Sequence, residues 1–289
     1  MNWTIRSILK TTIDYLTLKK IDSPRTNAEW LLIECLGYQN RIDLYLDYDK
    51  ILVKNEVDHY RSLIQQRLQH RPLQYLIGHT QFFSYRIEVN EHVLIPRPET
   101  ELLVEKVAAI AKPIVKEGMP YTILDIGTGS GAVAISLTKI LKTSHCAGVD
   151  ISAEALNVAL RNIRVHHCES QIQLAQGDLC SAFKPRQFNL IIANLPYVAS
   201  DEWNNLPDDV RNFEPRQALV APEQGTFFIK EMIHTGYQWL KPEGLIALEI
   251  GEHQQYILEA AVQETIVAYK AYRFETDLCG KVRFLFLFT

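Results

Sequence analysis

The stretch Thr122-Ile123-Leu124-Asp125-Ile126-Gly127-Thr128-Gly129-Ser130-Gly131-Ala132 leaves few folds open to this chain. Its first five residues read as a short buried strand. Glycines follow at 127, 129 and 131, and then a helical run from Val133 to Leu141. Strand, glycine turn and helix together open a doubly wound α/β fold. The glycines let the backbone bend tightly and come close to a ligand. Downstream, Ala147-Gly148-Val149 reads as a second strand ending at Asp150, where an acid suits ribose hydroxyls. Ile172 to Gln176 reads as a third, followed by Gly177-Asp178-Leu179. Asp178 is placed to reach an adenine amino group and Leu179 to pack on the ring. The plain alternative for Asp178 is a solvated turn acid.

The glycine pattern serves two kinds of cofactor. Gly127, Gly129 and Ala132 also fit the dinucleotide fingerprint, so a nicotinamide cofactor is a rival. Two features favour S-adenosylmethionine. Asp125 stands at the strand end, where it can order the loop and meet an ammonium group. Ser130-Gly131 adds a third glycine where a sulfonium nucleoside, which lacks a pyrophosphate, can be approached closely. Further on, the apolar run Phe188 to Ala193 delivers Asn194-Leu195-Pro196-Tyr197 to the same carboxyl edge of the sheet. The Asn194 side chain offers one carbonyl acceptor and one NH2 donor. Pro196 locks its own φ and restricts Leu195, which steadies the Leu195 carbonyl as a second acceptor. Two acceptors aimed at one point can grip an NH2 group, and the Tyr197 ring can lie against a planar amide or base. Read alone, such an Asn-X-Pro is equally a turn starter.

The rest of the chain frames this domain. Ile5, Ile8, Leu9, Ile13 and Leu16 recur at helical spacing, as do Ala28, Leu31, Leu32 and Cys35 before Gly37, and Asp58 to His70 is a third helix. Nothing in this nearly neutral segment looks catalytic. Residues 71–95 turn β-rich, with a hairpin over Thr80–Tyr85 and Arg86–Val89, and Pro96 and Pro98 then interrupt regular structure. Thr100 reads as a cap of the helix that follows. Arg97 and Glu99 sit on a loop expected to reach the site. Leu245–Ile250, Ile266–Tyr272 and Val282–Phe288 read as the last strands. The domains expected are a helical one over 1–75, a β-hairpin linker over 76–95 and a cofactor domain over 96–289.

A formal net charge of −4 argues against bulk electrostatic binding of nucleic acid, which needs a basic face. The five cysteines are scattered without a Cys-x-x-Cys pair, so reduced thiols in a cytoplasmic protein are expected, with no metal site. No apolar run approaches the ~20 residues of a membrane span. Polar Asn2, Thr4 and Arg6 leave no apolar leader core.

The motifs Leu94-Ile95-Pro96-Arg97-Pro98-Glu99-Thr100-Glu101, Asp125 to Gly131, Asn194 to Tyr197, Glu214-Pro215-Arg216 and Asp277 to Arg283 resemble the HemK/PrmC class I methyltransferases from about Tyr75 onward. The resemblance implies a Rossmann-like seven-stranded sheet with a small N-terminal helical domain. It implies methyl transfer from S-adenosylmethionine, giving S-adenosylhomocysteine, to N5 of a glutamine in a Gly-Gly-Gln-type motif of class I peptide chain release factors. Cofactor contacts then fall to Asp125, Gly127, Thr128, Gly129, Ser130, Gly131, Asp150, Asp178, Leu179 and Asn194. Asn194, Leu195, Pro196 and Tyr197 hold the substrate amide, with Arg97 and Glu99 beside them. The commonest family motif has Pro where this chain has Leu195; the position contributes a backbone carbonyl, which Leu supplies equally. Nothing in the sequence demands more than a monomer, and no stable nucleic-acid binding is expected. Rivals are an amino-methyltransferase of a DNA base, which shares the Asn-X-Pro-Tyr group, a modifier of a ribosomal-protein glutamine, and a non-catalytic cofactor-binding scaffold. Glu214, Arg216 and Arg283 read equally as structural ion pairs.

Overall fold

The computed structural model describes residues 3–115, 119–142 and 144–289, so Asn2 lies outside the described residues. Two compact units emerge. The first takes in Met1–His79 and Pro207–Phe213, the second Thr80–Leu206 and Glu214–Thr289.

The first unit is helical. Helices span Ile5–Leu18, Pro24–Leu36, Arg41–Leu46, Lys54–Leu68 and Leu73–Ile77. Thr4 and Ser7 exchange hydrogen bonds as a capping box on the first, and Gly37, at φ +67, ends the second. Ile5, Leu16, Leu31, Leu32 and Tyr60 bury the shared core, as the spacing predicts. The third and fifth helices were not foreseen. Asn40 starts one of them by accepting from the Ile42 and Asp43 N–H groups at 2.8 and 3.2 Å. Pro207–Phe213 joins this unit although the sequence reading kept it in the cofactor domain. The charge of Asp209 acts on the buried Arg67, and His70 stands 4.0 Å from Asp208.

The second unit holds the sheets. Strands run β1 His79–Phe82, β2 Tyr85–Glu88, β3 Tyr121–Ile126, β4 Ser144–Asp150, β5 Ile172–Gln176, β6 Phe188–Ala193, β7 Leu240–Glu249, β8 Ala271–Thr276 and β9 Val282–Phe288. Among the described residues β3 to β9 form one seven-stranded sheet in the order β5-β4-β3-β6-β7-β9-β8. The first five strands in that order are parallel, and β9 is antiparallel to both β7 and β8. Strand β3 has β4 on one side and β6 on the other, so the chain winds outward in both directions from it. That switch point opens a crevice at the carboxyl edge. In register, Asp125 lies opposite Gly148 and Ile192, and Ala193 lies opposite Leu248.

Two expectations need correction. The strand expected over Ile266–Tyr272 starts at Ala271; Ile266–Ala268 is a 3-10 turn with Val267 exposed. An edge strand needs only one covered face, so the apolar run was a poor guide to it. The segment expected as a hairpin linker over 76–95 begins its hairpin, β1–β2, only at His79. Asn162, fully buried on the helix Ala153–Val165, accepts from Glu88 N–H at 2.7 Å and donates to Glu88 O and Ser130 O at 2.9 Å each. Phe83 N–H also donates to Glu101 Oε1 at 2.8 Å. These bonds bring the hairpin into the second unit. Leu76 and Ile77 belong instead to the helix Leu73–Ile77.

Candidate active site

A cavity of about 370 Å³ opens at the carboxyl ends of β3, β4 and β6. Its floor is the glycine loop. Gly127 and Gly129 take φ +69 and +54, a region closed to most side chains, and the loop is stitched to β4 by Gly127 and Thr128 N–H groups donating to Val149 O at 2.9 and 3.0 Å. Ser130 also lines the cavity, whereas Gly131 passes behind the floor, facing Ala159.

Asp125 is buried beneath this loop and accepts from the Thr128 hydroxyl at 2.7 Å. Burial pushes its carboxyl up to about 7, against the pull of the Thr128 and Ala134 hydrogen bonds; the charge of Asp150 adds to the rise. Asp125 thus orders the loop from below, and it does not itself line the cavity. Asp150 does. Its Oδ2 accepts from Gly129 N–H at 2.9 Å and its Oδ1 from Ser152 N–H at 3.0 Å, which fixes the carboxylate at the strand end. Asp178 lies exposed on the rim, and Leu179, also lining the cavity, holds the left-handed φ of +48. A branched side chain in that conformation costs about 1–2 kcal/mol, so the surrounding loop must impose it.

The charges of the lining discriminate between cofactors. Glu91, Asp150 and Asp178 are acidic, and no Lys or Arg occurs among the described lining residues. A pyrophosphate would meet repulsion here. A cationic sulfonium nucleoside with a ribose and an adenine fits the donor set.

Asn194, Leu195 and Pro196 form the opposite wall. Asn194 Nδ2 donates to Thr100 Oγ1 at 3.0 Å, which leaves Oδ1 as the uncommitted end of the amide. Thr100 is not the helix cap; the helix Pro98–Ala111 begins with Pro98 in its first turn, and the Thr100 hydroxyl donates instead to Glu249 Oε2 at 2.7 Å. Tyr197 does not line this cavity; its hydroxyl donates to Glu249 Oε1 at 3.2 Å. Burial pushes the Tyr197 phenol well above its ordinary range, and the nearby Glu249 carboxylate adds to this.

Arg97 and Glu99 do not line the cavity. Arg97 pairs at 2.5 Å with Glu214, whose side chain is buried and also accepts from Ile95 N–H at 3.3 Å. This ion pair fixes the loop that enters the helix carrying Thr100. Arg216 lies over the Trp203 ring, and Arg283 bonds to Glu252 at 3.1 Å and faces Asp277 at 3.6 Å. The sequence reading missed Glu249, Thr100 as a partner of Asn194, Asn162 and Gln254. Gln254 donates to the Tyr197 carbonyl at 2.9 Å. Glu249 alone left a signal: a charged residue closing the apolar run Leu245–Leu248.

Known proteins resemble this chain along most of its length. Residues 7–78 match a family model described as PrmC N-terminal domain, and residues 99–206 match one described as methyltransferase small domain. A release factor glutamine methyltransferase of Chlorobaculum tepidum is 39% identical over 253 residues, 86% of this chain and 85% of that protein. One from Rhodopirellula baltica is 36% identical over 288 residues, 98% of this chain and 95% of that protein. The solved hMettl16 catalytic domain in complex with a MAT2A 3'UTR hairpin shares the fold, with a TM-score of 0.58 at 14% identity, covering 96% of this chain and 91% of that one. With relatives this similar along nearly its whole length, the chain belongs to the release factor glutamine methyltransferase family.

Proposed function

We propose that this protein is an enzyme that methylates the side-chain amide N5 of a glutamine in class I peptide chain release factors. The observation that carries the reading is the oriented Asn194 amide: with Nδ2 engaged by Thr100, its Oδ1 and the Leu195 carbonyl are two acceptors beside an acidic nucleoside-sized cavity. Relatives named for this activity, similar end to end, support the same reading.

The glycine loop from Gly127 to Ser130, with Asp125 ordering it and Gly131 backing it, would hold the cofactor's amino-acid part. Asp150 would take the ribose hydroxyls, Asp178 the adenine amino group and Leu179 its ring. S-adenosylmethionine, when bound, supplies an electrophilic methyl group on a sulfonium. The protein's task is to make an amide nitrogen accept it. That nitrogen is a poor nucleophile because its lone pair is delocalised into the carbonyl. Asn194 Oδ1 and the Leu195 carbonyl, each accepting one N–H, favour a pyramidal nitrogen with its lone pair turned toward the methyl. Both acceptors also stabilise the positive charge that grows on nitrogen, and they are in place beforehand. The methylated amide then releases one N–H proton to water without a strong base. Tyr197, held by Glu249, would set the plane of the amide.

The Arg97–Glu214 pair supports the substrate from a distance by fixing its loop, and Glu99 flanks it. Among the described residues no helix is long and apolar enough to cross a membrane. We read the working species as a cytoplasmic monomer that binds no nucleic acid stably, which light scattering and a DNA titration at low salt would check. The decisive assay offers labelled S-adenosylmethionine and a purified class I release factor, with a Gln→Ala factor and DNA in parallel. Label on the wild-type factor alone supports the reading. Label on DNA alone would replace it with base methylation.

A further inference from the structure

Asn194, Thr100, Glu249 and Tyr197 form one chain of hydrogen bonds. Glu249 is 1% exposed and Thr100 is buried with it. The sheet register sets them side by side, because Asn194 and Glu249 each follow a residue of the Ala193–Leu248 pair. The polarity of this chain follows from counting protons. An ionised carboxylate only accepts, and a hydroxyl has a single proton. The Thr100 proton is therefore committed to Glu249 Oε2, and the Thr100 oxygen is left to accept. Only the Nδ2 end of the Asn194 amide can donate to it, so Oδ1 must face the other way.

We propose that Glu249 is a positioning residue for methyl transfer: acting through Thr100, its carboxylate decides which end of the Asn194 amide is presented to the substrate, and through the Tyr197 hydroxyl it holds the ring beside it. The inference rests on the glutamine-methylation reading above and deepens it. Protonation of Glu249 removes the selection. A protonated Glu249 can donate to the Thr100 oxygen, freeing the Thr100 proton to bond Asn194 Oδ1. The amide then turns over without losing a hydrogen bond and presents its NH2 to the substrate NH2, so donor faces donor.

The groups facing Glu249 are Thr100 and Glu99 on the helix Pro98–Ala111, Tyr197 after β6, and Arg283 on β9. Burial pushes Glu249 up to about 7; Glu99 adds to this, while the Thr100 and Tyr197 hydrogen bonds and the Arg283 charge oppose it. The selecting form therefore gains population as pH rises through about 7.

The test measures kcat for labelled methyl transfer by the full-length protein, at saturating cofactor and release factor, across a pH series. Wild-type kcat should rise through an inflection near that value. In Glu249→Gln, whose amide can serve Thr100 with either end, kcat should fall several-fold and lose the inflection. Thr100→Val cuts the relay and should lower kcat on the order of 10²-fold, with calorimetric S-adenosylmethionine affinity changed less than about twofold. Thr100→Ser should recover most of that loss. If Glu249→Gln does not fold, the Thr100 pair carries the test. Wild-type kcat in Thr100→Val, or an unchanged pH profile in Glu249→Gln, would overturn the inference while leaving the functional reading intact. No transfer by the wild type would overturn both.

Discussion

Gly225 lies under the Tyr197 carbonyl, and replacing it with alanine tests how tightly the Asn-Leu-Pro-Tyr loop must be held. Its φ is +79, and a Cβ built there overlaps the Tyr197 oxygen, 2.7 Å from the carbonyl carbon and 2.8 Å from Gln254 Nε2. Gln254 is itself fixed. Its Nε2 donates to Tyr197 O at 2.9 Å and to Gln224 O at 3.2 Å, and its Oε1 accepts from Gly251 N–H at 2.8 Å. Gly225→Ala therefore carries two costs. A Cβ in left-handed backbone costs about 1–2 kcal/mol. The Tyr197 loop must also retreat, which strands a buried hydrogen bond at about 1–3 kcal/mol. The sum is about 3 kcal/mol. At roughly 2–4 °C per kcal/mol for a chain near this size, Tm should fall by about 6–12 °C. Asn194 rides on the same loop, so kcat should drop on the order of 10²-fold, from a misplacement of about 1 Å. Thermal unfolding and methyl transfer on the same preparation read both effects. A Gly225→Ala protein with a Tm within about 1 °C of wild type and full turnover would refute the reasoning.

Other outcomes follow from the buried carboxyls. Burial holds Asp125 and Glu249 at about 7, against about 4 in an unfolded chain. Between those values the folded protein keeps protons that the unfolded chain has released, so unfolding free energy should fall as pH rises from about 4 to about 7 and level off above. Urea titrations at a series of pH values will show this, and Asp125→Asn should flatten part of the decline. The same variant should weaken S-adenosylmethionine binding by calorimetry, since the Thr128 hydroxyl would lose its anionic acceptor. Arg97→Ala leaves the Glu214 carboxylate buried without its guanidinium partner. Because Arg97 is about one-third exposed, the loss should be nearer 2 than the ~3–5 kcal/mol of a fully buried pair, and Arg97→Ala combined with Glu214→Gln should cost less than the two changes summed.

The sheet and its glycine loop were legible because parallel strands buried on both faces read as near-continuous apolar runs, broken only by Asp125 in Ile123–Ile126 and by Asn189 in Phe188–Ala193. The polar residues at strand ends, Asn194 after Phe188–Ala193 and Asp150 closing Ser144–Asp150, were legible for the same reason: they stand out against the apolar background. Thr100 and Glu249 were not, since they are 149 positions apart and gain meaning only when the sheet register brings β6 and β7 together. Asn162 was hidden inside an ordinary amphipathic helix, and its bonds to Glu88 and Ser130 depend on where the hairpin docks. For Arg97 the sequence showed a charged loop residue before a cofactor domain but not its ion-pair partner, a buried glutamate 117 positions away.

The most direct single measurement compares wild type with Asn194→Ala for labelled methyl transfer to a release factor, with peptide mass spectrometry to locate the label and calorimetry for S-adenosylmethionine binding. The account predicts label on one glutamine with wild type, none with Asn194→Ala, and cofactor affinity nearly equal in the two. Wild-type rates from Asn194→Ala would contradict it.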